Sequence, residues 1–287
     1  MADDPMPVSD NTVLELAQLL APHSRLLLLT GAGISTASGI PDYRDSEGVR
    51  RGRAPIQGPE FRSSELIRKR YWARAMVGWP LLAKAAPNAG HVAIAALEAL
   101  AKHTVIVTQN VDGLHSLAGS SHVIELHGNI HRVACLDCGA RHERRLIQFQ
   151  LEQHNPGLAN TTALPAPDGD AHLEPEALAD FVLPHCPACT GTLQPDVVFF
   201  GDGVPRARSE QAEQAVSNAD AILVVGSSLM VHSGYRLCKA AAEAGKPIAA
   251  INIGKTRADA LLSLKVEQRS EQALPLLAML LRDLRNR

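Results

Sequence analysis

Four cysteines fall into two pairs, Cys135-x-x-Cys138 and Cys186-x-x-Cys189. A C-x-x-C turn brings two thiolates to one side of a metal ion, and two such turns complete a tetrahedral four-sulfur site. Four thiolates suit zinc and leave no position for a reactive water, so the site is expected to be structural. Disulfide or redox chemistry is the alternative, but Gly139 and Gly191, just past the knuckles, suit zinc turns. The 47 residues between the pairs are enough to carry structure of their own. The fifth cysteine, Cys238, lies among apolar residues of a predicted helix and is expected in the core.

His127 follows the apolar stretch His122 to Leu126 and precedes Gly128. A ring there can project into a crevice and act as a general base near neutral pH, or serve structure alone. Asn110 and Asp112 alternate after a second apolar run, which points both side chains the same way. They either meet a ligand's amide or sugar, or cap an Asx-type turn. Gly226-Ser227-Ser228 carries the same two readings. Gly31-Ala32-Gly33 follows four leucines, Leu26 to Leu29. Glycines after a buried strand let a pyrophosphate approach the backbone amides, although a tight strand–helix turn has the same residues. The next glycine is Gly39, so the spacing departs from the ordinary dinucleotide fingerprint.

These groups need elements to hold them. The pattern predicts helices at 11–20, 62–76, Ala89 to Ala101, Glu210 to Val216, Val231 to Ala244 and 271–284. Strands are predicted at Leu26 to Leu29, Thr104 to Thr108, His122 to Leu126, Ala221 to Val225 and Ile248 to Asn252, with Asp196 to Phe200 extended. Asp45 to Gly58 reads as a mobile loop and Cys135 to Gly191 as an inserted module. Strands alternating with helices predict an α/β fold: a Rossmann-like parallel sheet with helices on both faces, plus a small inserted zinc-binding module. The large domain is expected over about 1–44, 86–130 and 194–287, with a cofactor-loop and helical segment at 45–85 and the zinc module at 131–193. Gly31, Gln109, Gly226 and Asn252 sit at strand tips, where open parallel sheets place ligands.

A net charge of -2 offers no electrostatic basis for binding nucleic acid or anionic membranes. No run approaches a membrane span. Met1 to Asp10 carries three aspartates and no basic residue, unlike a secretion signal or transit peptide, so a cytoplasmic location is expected. A zinc-dependent dehydrogenase would need an open metal position, which four cysteines at one metal do not leave. An aromatic content of 3% also counts against a zinc-ribbon nucleic-acid module.

T-G-A-G-I-S with G-I-P-D-Y-R, T-Q-N-V-D-G-L-H, E-L-H-G-N, the paired C-x-x-C, P-D-V-V-F-F-G, V-G-S-S and I-N-I-G occur in this order between Leu26 and Leu277. Together they resemble the sirtuins, and R-Y-W-A-R-A-M-V-G-W-P is similar to the class II branch, which includes a mitochondrial member. The resemblance implies an NAD-dependent protein lysine deacylase. It cleaves the nicotinamide–ribose bond of NAD and releases nicotinamide, free lysine and O-acyl-ADP-ribose, with no hydride transfer. His127 matches the base that draws a proton from the ribose, and Asn110 the residue that holds the ribose or a water. Gly31, Ala32, Gly33, Ile34, Ser35, Ser38, Gly39, Pro41, Asp42, Tyr43 and Arg44 match the cofactor loop. Gln109, Asn110, Val111 and Asp112 match the nicotinamide side, and Gly226, Ser227, Ser228, Asn252, Ile253, Gly254 and Ser270 the adenosine side.

Val197, Val198, Phe199, Phe200 and Gly201 match a strand that pairs with an extended substrate backbone. Cys135, Cys138, Cys186 and Cys189 match a structural zinc site. The implied partners are acyl-lysine proteins. Protein mono-ADP-ribosylation at the same NAD site is the alternative activity. Tyr43 replaces a common Phe and keeps the ring, whereas I-N-I-G lacks an acid often found after the asparagine. Tyr71 and Arg74 have the Tyr-x-x-Arg spacing of sirtuins that remove acidic acyl groups. The G-W-P stretch at Gly78 to Pro80, read as a turn, fits class II better. Tyr71 is therefore expected to pack, Arg74 to be a solvated helix charge, and deacylation to be broad and weak on acetyl-lysine.

Overall fold

The four leucines divide between two faces of a sheet. Leu26 and Leu28 enter one core with Leu16, Ile94, Leu274 and Leu277, while Leu27 and Leu29 enter a second with Val216, Leu237 and Cys238. Alternation along a strand sends successive side chains to opposite faces, so a continuous apolar run requires cover on both. The computed structural model describes residues 10–50, 54–101, 103–159, 161, 165–166, 170–171 and 180–286. The sequence reading of Met1 to Asp10 falls almost entirely outside them. The cover on the first face comes from helices Asp10–Leu20, Ala89–Leu100 and Ser270–Arg285, and on the second from Arg206–Asn218 and His232–Glu243.

In chain order the strands are β1 (Leu26–Thr30), β2 (Val105–Thr108), β3 (Val123–Glu125), β4 (Gly128–Cys135), β5 (Arg141–Glu143), β6 (Pro165–Ala166), β7 (Asp170–Ala171), β8 (Leu193–Val197), β9 (Ala221–Val225), β10 (Ile248–Ile251) and β11 (Leu264–Val266). The main sheet is parallel, in the order β11-β10-β9-β1-β2-β3. The chain runs outward from β1 to β3, returns, and runs outward again from β9 to β11. The order reverses between β1 and β9, which opens a crevice beyond their carboxyl ends. The Rossmann-like sheet with helices on both faces is thus present, together with a small insert.

Three local differences from the sequence reading have physical causes. Of the extended stretch read over Asp196 to Phe200, only Asp196 and Val197 belong to β8, which pairs antiparallel with β4 in a three-stranded sheet, β5-β4-β8, outside the parallel sheet. The helix read over 62–76 is two helices, Gly58–Ser63 and Glu65–Leu82, with Ser64 extended between them and its hydroxyl accepting from Ile67 N. The second helix also continues through Gly78, Trp79 and Pro80, where a turn is read from sequence. Proline at 80 cannot donate to the Met76 carbonyl. Gln148 Nε2 takes that place at 2.8 Å, so the helix pays no unsatisfied acceptor. β11 was not predicted, since three residues containing a lysine give no periodic signal.

A third core joins this helix to the insert. Trp72 and Met76 pack with Phe61, Val133, Ile147, Leu151, Leu193 and Phe199. Arg144 is buried beside Trp72 and Trp79, with its guanidinium carbon 5.3 and 4.9 Å from the two ring centroids. Cys238 is fully buried, and burial pushes its thiol up to about 12, as expected of an inert core cysteine. Among the described residues, no helix is long and apolar enough to cross a membrane.

Candidate active site

The loops after β1 and β9 are in backbone contact. Gly31 N donates to Val225 O at 3.0 Å and Gly33 N to Gly226 O at 2.8 Å. A Cβ on Gly33 would stand 2.9 Å from Gly226 Cα, and one on Gly226 2.4 Å from Ile34 N, so both positions require glycine. Beyond Gly31 the chain makes two short 3-10 turns, Ala32–Ile34 and Thr36–Ser38, and leaves through Gly39 at φ +82. These turns line a cleft of about 1290 Å³.

The cleft gathers most of the residues singled out from sequence. Gly31, Ala32, Gly33, Gly39, Pro41, Asp42, Tyr43, Arg44, Gln109, Asn110, Val111, His127, Val197 to Gly201, Gly226 to Ser228, Asn252, Ile253 and Ser270 all line it. Four others stand behind the wall. Ile34 is fully buried in the first core, and Ser38 Oγ accepts from Asn88 Nδ2 at 2.9 Å. Asp112 and Ser35 are buried beneath the floor. Gly254 lies off the cleft, packed so closely on the Ser46 backbone that an added Cβ would sit 2.1 Å from its carbonyl oxygen.

Ser35 is the hub of the floor. Its hydroxyl donates to Asp112 Oδ2 at 2.7 Å and accepts from Asn110 Nδ2 at 3.0 Å. His91 Nε2 lies 3.4 Å away. Asn88 N donates to His91 Nδ1 at 3.3 Å, which leaves the proton of the neutral ring on Nε2, facing Ser35. A hydroxyl has one hydrogen and two lone pairs, and all three are committed here. Asp112 Oδ1 accepts from Leu114 N at 3.0 Å, and Asn110 Nδ2 also donates to Gly31 O at 3.2 Å. Asn110 therefore turns its carbonyl oxygen, not its amide hydrogens, to any ligand hydroxyl or water. His91 and His115 were not singled out from sequence. Asn88, the cap of helix Ala89–Leu100 with His91 completing the capping box, was the available signal for the first.

His127 is held at both nitrogens. Nδ1 lies 2.8 Å from Gln109 O and Nε2 lies 2.7 Å from Ser233 Oγ. A carbonyl only accepts, so Nδ1 carries the proton and the Nε2 lone pair accepts from the Ser233 hydroxyl in the cleft wall. Burial lowers the pKa of the ring most, Gln109 O raises it, and Arg208 lowers it further. The ring thus sits neutral and able to take a proton at neutral pH. Ser233 is a residue that the sequence reading missed.

The strand after His127 fixes the neighbouring wall. Val198 N donates to His127 O at 2.8 Å, and Gly128 pairs with Val197. Phe199 stacks on Phe61 with centroids 4.9 Å apart, while Phe200 meets Tyr43 at 6.4 Å. The Arg50 guanidinium lies over both of those rings, at 4.9 and 5.9 Å. On the far side, Gln109 Nε2 donates to Ser227 Oγ at 2.8 Å. Asn252 Nδ2 donates to Ile253 O at 2.9 Å and Gly254 O at 3.3 Å, which again leaves the amide oxygen for a ligand. Ser270 Oγ reaches Gly33 O at 3.5 Å.

Arg74 corrects the sequence reading. It is 6% exposed rather than solvated. Its Nε donates to Ala171 O at 3.1 Å and its Nη2 pairs with Asp170. Tyr71 packs as expected, between Phe61, Trp72 and Phe199.

The four paired cysteines converge. Their sulfurs lie within 4.8 Å of one another, with Cys135 to Cys189 at 3.6 Å and Cys138 to Cys186 at 3.8 Å. These separations are far beyond a disulfide bond and match the roughly 3.8 Å edge of a tetrahedron with Zn–S near 2.3 Å. The donor set fits a closed zinc site. His142 Nε2 lies 3.3 Å from Cys186 Sγ, where an N–H can support a ligating thiolate.

Comparison with known proteins agrees with this geometry. Residues 31–233 match the Sir2 family model. NAD-dependent protein deacetylase 3 of Pseudomonas syringae pv. tomato is 55% identical over 273 residues, 94% of this chain and 97% of the relative. An NAD-dependent protein deacetylase of Xanthomonas campestris pv. campestris is 54% identical over 262 residues, 91% of this chain and 89% of the relative. A solved Sir2 structure with a p53 peptide and NAD+ superposes with a TM-score of 0.74 at 29% identity, over 91% of this chain and 95% of that one. Another, from work on the mechanism and regulation of Sir2 enzymes, gives 0.74 at 28% identity, over 96% and 100%. The crevice at the β1/β9 switch, the imidazole lining it and the four-sulfur cluster accord with these matches: this chain belongs to the Sir2 family.

Proposed function

We propose that the cleft cleaves NAD and transfers its ADP-ribosyl unit to the oxygen of an acylated lysine, with His127 as the base. The chain is an NAD-dependent protein deacetylase, and this assigns its residues their parts. The observation that carries the reading is the forced tautomer of His127, whose cleft-lining ring keeps Nε2 unprotonated, accepting from the Ser233 hydroxyl, while Gln109 O holds Nδ1–H. That arrangement accepts a ribose proton and stabilises the imidazolium that results.

Asp112, braced by Ser35, accepts from the nicotinamide carboxamide, and the Asn110 carbonyl orients the ribose or a water. The loop from Gly31 to Arg44 covers the cofactor, and Gly226 to Ser228 with Asn252, Ile253 and Ser270 form the adenosine side. The acylated peptide lies extended along Val197 to Gly201, as the p53-peptide complex of the Sir2 relative encourages. Cys135, Cys138, Cys186 and Cys189 hold a zinc whose contribution is to folding. The sequence R-Y-W-A-R-A-M-V-G-W-P supports the class II branch.

Incubating the protein with NAD and a panel of acyl-lysine peptides tests this, read by mass spectrometry. Nicotinamide release that requires the peptide, with equal amounts of deacylated product and O-acyl-ADP-ribose, is expected. Nicotinamide release accompanied by ADP-ribosylated protein, with the acyl group still on lysine, would sink it.

A further inference from the structure

Ser233 is the second residue of helix His232–Glu243. A serine at a helix start ordinarily satisfies one of the free backbone N–H groups there. This helix has no side-chain cap, and the Ser233 hydroxyl points instead to His127 Nε2 at 2.7 Å. Because Gln109 O fixes the imidazole proton on Nδ1, Nε2 has no hydrogen to give, so Ser233 donates. The hydroxyl therefore occupies the lone pair through which His127 would act. Ser233 is half-buried and lines the same cleft. Its oxygen keeps two lone pairs for a donor arriving from the cleft.

We propose that Ser233 is a catalytic residue, the proton relay between the ribose hydroxyl and His127. The ribose O–H bond breaks and its proton passes to Ser233 Oγ as the Ser233 proton passes to His127 Nε2. The serine ends neutral and its hydroxyl is regenerated. The ribose oxygen is left as the nucleophile, and the imidazolium is held through Nδ1–H by Gln109 O. Arg208, which disfavours charge on the ring, favours its later return of the proton. The inference rests on the reading of His127 as the base, and concerns the step after nicotinamide has left.

Two rates separate the possibilities for Ser233→Ala, Ser233→Thr and His127→Ala: exchange of labelled nicotinamide into NAD in the presence of acyl-peptide, and formation of deacylated peptide. Exchange precedes the base step and deacylation follows it. Ser233→Ala is expected to keep exchange within about twofold and to lose deacylation by about tenfold or more, part of the hundredfold typical of a proton-transfer group. Ser233→Thr, which retains a hydroxyl, is expected to restore most of it.

Deacylation by Ser233→Ala at or above the wild-type rate, with His127→Ala inactive, overturns the relay and leaves the base standing. An equal fall in exchange and deacylation that threonine does not restore reduces Ser233 to packing and also overturns it. Full deacylation by a folded His127→Ala removes the base and the relay together.

Discussion

The imidazole rings of His91 and His115 lie 5.0 Å apart, edge to face, beneath the floor of the cleft. Both are buried, and burial is the largest cause lowering each pKa, that of His115 to about 3. His115 Nε2 meets Thr30 Oγ1 at 2.9 Å, and its Nδ1 has no partner among the described residues. A second positive charge so close to the first is disfavoured, and Asp112 near His91 and Glu98 near His115 offset the burial only in part. Folding therefore holds both rings neutral. The unfolded chain binds protons below about pH 6.5, where the folded one does not. Stability is full above that value and falls as the pH drops toward 3. One such histidine costs about 2 kcal/mol at pH 5. Urea unfolding at pH 7 and 5 should show this loss, and a His115→Gln variant should lose less between the two. An equal fall in both proteins would assign the pH dependence elsewhere.

Asp112→Asn leaves the fold but disturbs the floor, because Ser35 and Leu114 N already donate to the carboxylate oxygens. One of these donors would then face an amide N–H. NAD affinity and nicotinamide exchange are expected to fall about tenfold or more, the scale of a buried donor left unpaired. Initial rates at varied NAD measure it. An unchanged KM for NAD with normal exchange would place nicotinamide elsewhere.

His127→Ala should abolish deacylation, with a loss of about a hundredfold or more, while the melting temperature and NAD binding stay close to wild type. Calorimetric titration with NAD, beside the peptide assay, separates chemistry from binding.

The purified protein should carry one zinc per chain by elemental analysis. Cys186→Ser should lose the metal and melt at a lower temperature, since a structural zinc contributes folding free energy. A metal-free preparation that melts normally would assign the cluster another role.

Arg74→Met removes the ion pair with Asp170 and the bond to Ala171 O. Because the guanidinium is already committed within the protein, the activity losses on acetyl, longer aliphatic and succinyl peptides should be similar. Breaking a partly buried pair is expected to cost about 1–3 kcal/mol, less than a fully buried one because Asp170 is 36% exposed. A strong succinyl preference that collapses in the variant would show that Arg74 can leave Asp170 for a substrate.

The sequence shows the sheet well where burial on both faces leaves no choice of residue. The four leucines, Val105 to Val107 and Ala221 to Val225 are unbroken apolar runs, and each lies in a strand near its predicted place. It shows the metal cluster because two turns of fixed spacing carry the whole donor set. It singles out His127 but not its hydrogen-bond partner Ser233, which lies 106 positions away and meets the ring by tertiary packing alone. Arg74 was misjudged for the same reason. Its partner Asp170 is 96 residues distant, and no local pattern distinguishes a helix arginine in water from one turned inward. The Gly78 to Pro80 stretch looked like a turn because the carbonyl that proline frees is satisfied from another helix, by Gln148.

The bond from Val198 N to His127 O sets a scale as well as a wall. Val198 is bonded to His127 and Val197 pairs with Gly128, so a chain laid along Val197 to Gly201, as proposed for the acylated peptide, would stand at a set distance from the imidazole, whatever its side chains. Backbone pairing of this kind reads extension, not sequence. A lysine within a helix cannot be measured by such a ruler, whereas one in a tail or an opened loop can. On that proposed pairing, the breadth of targets would follow which lysines other proteins leave on unstructured chain more than the residues beside them.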